Sequence, residues 1–207
     1  VTGDVVFTIN GANYTVHITD SNVATIEYTP VNNATLTVVA TFTGNDEYNS
    51  IASAPQTFTV NRVTTTVGAD FYSPIVAGDD VSVTVTLTHD ITGYVTLTVI
   101  PPSGVKKDYK VAVIEGSGTY SVTNLADGTY TITATFDGND KYEGSTASKE
   151  LKVNKVPTSL SITIDKTSIT VGDNATVSIE LNEKINAVVT VKVNGSNHTV
   201  GLVNGEG

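Results

Sequence analysis

Cysteine, methionine and tryptophan are all absent from these 207 residues, and charged residues make up only 15%. Without cysteine there is no disulfide framework. A domain with a large enough core can dispense with one, so the absence leaves export open. Basic residues are also scarce, 11 against 21 acidic ones, giving a formal charge of −10. Such a field repels nucleic-acid phosphates and anionic lipid headgroups, so neither DNA nor RNA is expected as a partner. No apolar stretch approaches the roughly 18 residues a membrane span needs, and no secretory leader or lipidation motif is recognisable. Direct membrane insertion by this segment is therefore not expected. Histidine occurs only at His17, His89 and His198, too few and too dispersed for a metal centre or a catalytic triad.

What the chain does have is a repeated phrase. Gly44-Asn45-Asp46-Glu47-Tyr48 returns 94 residues later as Gly138-Asn139-Asp140-Lys141-Tyr142, and Gly78-Asp79-Asp80 returns at the same interval as Gly172-Asp173-Asn174. A period of that length, filled with alternating Val and Thr, denotes a string of whole β domains. Hydrophobic residues at 39% exclude a disordered chain. The spacing divides the chain into a partial domain over 1–62, a complete one over 63–154 and a second partial one over 155–207.

Within the complete copy, Val81, Val83, Val85 and Leu87 alternate with Ser82, Thr84, Thr86 and Thr88. Period-two patterning places one face in a core and the other in water. Val95, Leu97 and Val99 form the next strand, and Tyr109, Val111 and Val113 follow across a Pro101-Pro102-Ser103-Gly104 turn. A short strand at Tyr120-Ser121-Val122, a long one through Tyr130, Ile132, Ala134 and Phe136, and a last one from about Ser145 to Val153 complete the set. About seven strands, regular turns and no convincing helix predict an all-β architecture: tandem immunoglobulin-like antiparallel β-sandwich domains in an elongated array. The disulfide and tryptophan of antibody domains are missing.

The outer copies follow the same rhythm. Ala175, Val177, Ile179 and Leu181 lie 94 residues after Val81, Val83, Val85 and Leu87 and are expected on the buried face. Asn10-Gly11 and Asn194-Gly195 stand where the middle copy has its proline-rich turn, and Asn-Gly between alternating strands signals a tight hairpin. The joints Val60-Asn61-Arg62-Val63-Thr64 and Val153-Asn154-Lys155-Val156-Pro157 contain no flexible run, so limited bending and a rod-like array are expected, each domain adding about 30 to 40 Å. The first copy begins at its third strand and the last stops before its final three. Both halves carry the Asn-Gly hairpin and so overlap, and the expectation is a window of a longer array.

Reactive constellations are weak. Glu115-Gly116-Ser117-Gly118 reads as a turn, since it lacks the strand-to-helix elbow that presents a serine nucleophile. No phosphate-cradling loop exists. No catalytic residue and no cofactor are expected. Asp137, Asn139 and Asp140 share the hairpin between the last two strands and offer the oxygen ligands a Ca²⁺ ion would take, although Gly-Asn-Asp is also what a tight turn requires. Asp79-Asp80 poses the same alternative.

Three signatures carry a family likeness: Asn-Gly-x-Asn-x-Thr-Val, Leu125-Ala126-Asp127-Gly128-Thr129-Tyr130-Thr131, and Phe-x-Gly-Asn-Asp-x-Tyr at Phe42 and Phe136. Together they resemble the tandem bacterial-type Ig-like repeats of methanogenic archaeal adhesin-like proteins. That resemblance implies an extracellular, cell-surface protein whose repeats form a stalk for attachment to other cells or host material. Its surface or glycan ligand would be bound elsewhere in the full-length protein. Tyr130 fits the tyrosine-corner position after Gly128, whereas the first copy has Leu36 there. Lys-to-Asn isopeptide crosslinks occur in comparable fibres, but the version joining first and last strands needs an early lysine, and the complete copy has none before Lys106. Five sequons, at Asn13, Asn33, Asn174, Asn194 and Asn197, allow N-glycosylation if the chain is exported. Besides the spacer reading, a carbohydrate-binding module using Tyr72, Tyr94 or Tyr109 and an accessory region of a secreted enzyme or viral tail fibre remain open.

Overall fold

The structure is a computed structural model that describes residues 1–19 and 22–207. Among the described residues, seventeen strands and no helix give the all-β class expected from the alternation. The chain separates into two compact units, Val1–Val153 and Asn154–Gly207.

The first unit opens with one antiparallel sheet. It contains β1 (Gly3–Ile9), β2 (Ala12–Ile18), β3 (Ala34–Phe42), β4 (Ile51–Ala52) and β5 (Gln56–Val60), ordered β2-β1-β3-β4 with β5 also on β3. Asn10 and Gly11 both have positive φ, 48° and 86°, as a two-residue hairpin turn demands. The register places Phe7 beside Tyr14 and Ala40, and Leu36 beside Phe58, so one face is mainly apolar, while the other mixes threonines and polar residues with Val6 and Val39. Only Ile9, Ile18 and Leu36 are fully buried on the apolar face.

The remainder of this unit is a two-layer sandwich. Its strands are β6 (Val67–Asp70), β7 (Ile75–Val76), β8 (Val81–Leu87), β9 (Gly93–Ile100), β10 (Lys107–Val113), β11 (Ser117–Val122), β12 (Gly128–Phe136) and β13 (Ser145–Asn154). One sheet runs β10-β9-β12-β13-β7 and the other β11-β8-β6. The opening segment therefore serves both layers: β6 pairs with β8, the chain passes a cis Ser73–Pro74 bond, and β7 joins the opposite sheet beside β13. Val83, Val85, Val95, Leu97, Ile132 and Leu151 are essentially inaccessible to solvent between the layers. Each contributes about 1.5–3 kcal/mol by leaving water. The strict in-out alternation of β8 and β12 is what that arrangement requires of a strand with one solvated face.

The second unit has β14 (Leu160–Ile164) paired with β15 (Val177–Leu181) and, as a separate hairpin, β16 (Ala187–Val193) paired with β17 (Ser196–Leu202). Residues 205–207 add to β15 through Leu181 N–H to Gly205 O at 2.7 Å and Ile179 N–H to Gly207 O at 2.7 Å. One sequence expectation is corrected here. Ile179 is buried, but Ala175 and Val177 are exposed although the alternation is in phase with β8. Periodicity sets which way a side chain points, and burial also needs an opposing layer; no counterpart of β12 and β13 lies in residues 154–207.

Candidate functional site

The hairpin joining β12 to β13, residues 137–144, carries the candidate cation ligands, and its geometry is that of a joint. Asn139 Oδ1 accepts hydrogen bonds from Lys141 N–H (2.9 Å) and Tyr142 N–H (2.8 Å), while Asn139 N–H donates to Tyr142 O (2.9 Å). The side chain thus imitates a backbone turn. Gly138 has φ +82°, and a Cβ there would lie 2.7 Å from Gly144 N and 2.8 Å from Tyr142 O. Glycine is the residue that both the angle and the close approach allow. Asn45 makes the same two side-chain hydrogen bonds, to Glu47 N–H and Tyr48 N–H, so the repeated spelling encodes a repeated turn.

The middle hairpin holds the incoming linker. Val63 N–H donates to Lys141 O at 2.8 Å and Glu143 N–H donates to Val63 O at 2.9 Å, forming a parallel bridge between Val63 and Tyr142. Asn33 N–H reaches Asp140 O at 3.2 Å, and Arg62 Nε approaches Asn33 Oδ1 at 3.4 Å. His89 stacks on Tyr142 with ring centroids 5.0 Å apart, and its Nε2 lies 3.0 Å from Thr64 O. His89 lies in the bend after β8, half-buried against the linker. Nothing local in the sequence pairs Val63 with a tyrosine 79 positions away; recurrence of tyrosine in both hairpins and of valine in both joints was the available signal.

The other candidates separate widely. His17 contacts Asp4 across the β1–β2 pair, and His198 faces Val191 across β16–β17. Among the described residues no three His, Cys, Asp or Glu side chains gather as a metal site would need. Asp79 Oδ2 accepts from Val76 N–H and Asp173 Oδ2 from Thr170 N–H, each at 3.1 Å, so both fasten turns. Glu115 and Gly116 form a turn with φ of 50° and 77°, closed by Ile114 N–H to Ser117 O at 2.9 Å. All five sequon asparagines are exposed. Asn13 accepts from Thr8 Oγ1 at 2.8 Å and Asn33 participates at the joint, while Asn194 occupies the β16–β17 turn and Asn197 the following strand.

Of the candidate sugar-stacking tyrosines, Tyr72 and Tyr94 are exposed and Lys110 Nζ sits 4.0 Å from the Tyr94 ring centre. Tyr109 is half-buried against Tyr120, centroids 4.6 Å apart, beside a cleft of about 410 Å³ that Lys107, Ser121 and Asn124 also line. Tyr130 is buried and its hydroxyl donates to Ala126 O at 3.1 Å, the bond that defines a tyrosine corner. Across the two layers, Lys149 Nζ on β13 meets Asp70 Oδ1 on β6 at 2.7 Å and Phe71 O at 3.3 Å. The hydrogen bond from Lys149, then its charge, holds the Asp70 carboxyl below the ordinary carboxylate range. The first and last strands of the sandwich are therefore joined by an exposed ion pair. Asp108 is likewise lowered, chiefly by the hydrogen bond from Thr98.

Two sheets sharing one core, a first strand divided between them and a tyrosine corner define an immunoglobulin-like β-sandwich. Residues 72–154, less than half of the chain, match the family model described as bacterial Ig-like domain (group 3). No curated protein matches the chain.

Proposed function

We propose that this chain is a structural spacer in the stalk of a large extracellular adhesin, holding a distant ligand-binding region away from the cell surface. The observation that carries this reading is the joint at 61–64, where the linker is hydrogen-bonded on both sides of Val63 to the hairpin of the following sandwich. A spacer must transmit orientation from one module to the next, and a hydrogen-bonded linker does so better than a flexible one. The family of the middle domain, one found in surface proteins, supports an extracellular setting. The reading assigns no catalysis and no cofactor to these residues, and it leaves attachment to cells or host material to another part of the protein. Antibodies raised against residues 63–153 test it on intact source cells: labelling that brief external proteolysis removes is the expected result, and label confined to lysed cells is the opposing one.

A second reading, carbohydrate binding, draws on Tyr94 with its overlying lysine and on the cleft beside Tyr109. Glycan-array binding that disappears in Tyr94→Ala or Tyr109→Ala would place it first.

A further inference from the structure

We infer that the cleft beside Tyr109 is a binding site for an acidic saccharide, with Lys107 taking the sugar carboxylate. The inference goes beyond the spacer role and rests on the carbohydrate reading of the sandwich. Every residue lining the cleft lies between positions 99 and 130, inside the complete domain. β10 is the end strand of one layer and β11 the end strand of the other. They leave the Ile114–Ser117 turn close together, where a Cβ on Gly118 would stand 2.1 Å from Ala112 O, and then part to join opposite sheets. Farther along, the 101–104 turn is seated against the start of β12, since a Cβ on Gly128 would stand 2.4 Å from Pro102 Cγ. Fastened in both places, the layers leave a cleft of about 410 Å³, within the roughly 300–1,000 Å³ of small-ligand sites.

The surfaces of this cleft differ in chemistry. Buried Val99, Val122, Leu125 and Tyr130 form an apolar floor. Half-buried Tyr109 and Tyr120 make a wall, and their hydroxyls have no hydrogen-bond partner among the described residues. Ser121, Thr123 and Asn124, all exposed, add neutral hydroxyl and amide groups at the rim. A sugar suits both kinds of surface, because its ring offers C–H groups to apolar and aromatic side chains while its hydroxyls bond the rim. A hydrocarbon acid would leave the rim groups to water. Charge then selects among sugars. The chain has 21 acidic residues against 11 basic ones, yet Lys107 lines this cleft and no Asp or Glu does. Grooves elsewhere carry carboxylates: Glu143 at the joint, Glu180 on β15 and Asp79 after β7. Lys106 lies 3.4 Å from Asp108 and Lys149 2.7 Å from Asp70, whereas Lys107 makes no ion pair among the described residues and its Nζ sits 5.1 Å from the Tyr109 ring centre. The ammonium is thus held at the tyrosine wall with its charge unneutralised, where a sugar carboxylate gains a charge-assisted hydrogen bond.

Retention of the full chain on an array of uronic- and sialic-acid saccharides beside their carboxyl-reduced forms tests this, followed by calorimetric titration of the saccharide retained best. The acidic forms are retained, the reduced forms are not, and affinity falls as salt rises. Lys107→Gln weakens binding at least about tenfold and Lys107→Arg keeps it. Lys152→Gln, which removes an exposed lysine from β13, leaves it unchanged. Lys107 lies outside the core, so an unchanged thermal unfolding transition shows that its variants fold. Equal retention of acidic and reduced forms, lost in Tyr109→Ala but indifferent to Lys107→Gln, would overturn the inference and keep the carbohydrate reading; retention of no glycan would overturn both. A loss in Lys152→Gln as large as that in Lys107→Gln would reduce the effect to general charge and overturn the inference, as would capture of a polyglutamate peptide in place of any saccharide.

Discussion

Tyr130 and Gly138 each fix a local geometry that the surrounding strands rely on. Removing the Tyr130 hydroxyl in Tyr130→Phe keeps the ring and loses one hydrogen bond, so urea unfolding is expected to show a loss of about 1 kcal/mol. The first copy buries Leu36 at that position, so the corner hydrogen bond is not a feature of every copy. Gly138→Ala forces a side chain into positive φ and against the backbone of Gly144, with an expected cost of about 1–3 kcal/mol. For Asp70 the sign follows from its lowered pKa: the folded state binds fewer protons than the unfolded one, so the contribution is present above the ordinary aspartate value and disappears as pH falls through the lower folded value. Asp70→Asn should flatten the acid limb of the stability profile below about pH 4, read by thermal melts across pH. Its effect at neutral pH should be small, because exposed ion pairs contribute little. At this scale the Asn-Gly turns were legible in sequence, since positive φ at both central residues leaves few other choices. The stacking of His89 on Tyr142 was not, because it joins residues brought together only by the sandwich.

Strands of nearly the same spelling differ here in what covers them. Leu151→Ala opens a cavity between two layers and should cost about 2–5 kcal/mol. The equivalent Phe58→Ala on β5 should cost much less, about 0.5 kcal/mol, since the ring already meets water. Paired chemical denaturation of the two variants checks the contrast. Alternation revealed the strands of the middle copy, including the turn at Glu115-Gly116, but not the division of the first strand into β6 and β7. That division depends on which sheet edge is vacant on each side, a property of the assembled layers. Loss of the Asn139 side chain in Asn139→Ala should loosen the hairpin and expose the linker, speeding tryptic cleavage at Arg62.

Across the whole molecule, protection from solvent should track the presence of an opposing layer. Hydrogen exchange under native conditions is expected to be slowest at β8, β9 and β12 and faster at β14–β17, where Ile179 and Leu202 are the only fully buried apolar side chains among the described residues of Asn154–Gly207. Equal protection in both units would contradict this account. The 94-residue recurrence and the alternation within it by themselves determined the all-β class, the Asn-Gly hairpin turns and the direction in which the alternating side chains of strands such as β8, β9 and β12 point, because backbone geometry ties spacing to direction. Only the tertiary structure decided which of those inward-pointing side chains are buried, and that the Gly-Asn-Asp hairpin grips the linker through Val63. Burial and linker docking are relations between distant segments, and one-dimensional periodicity specifies direction without specifying a partner.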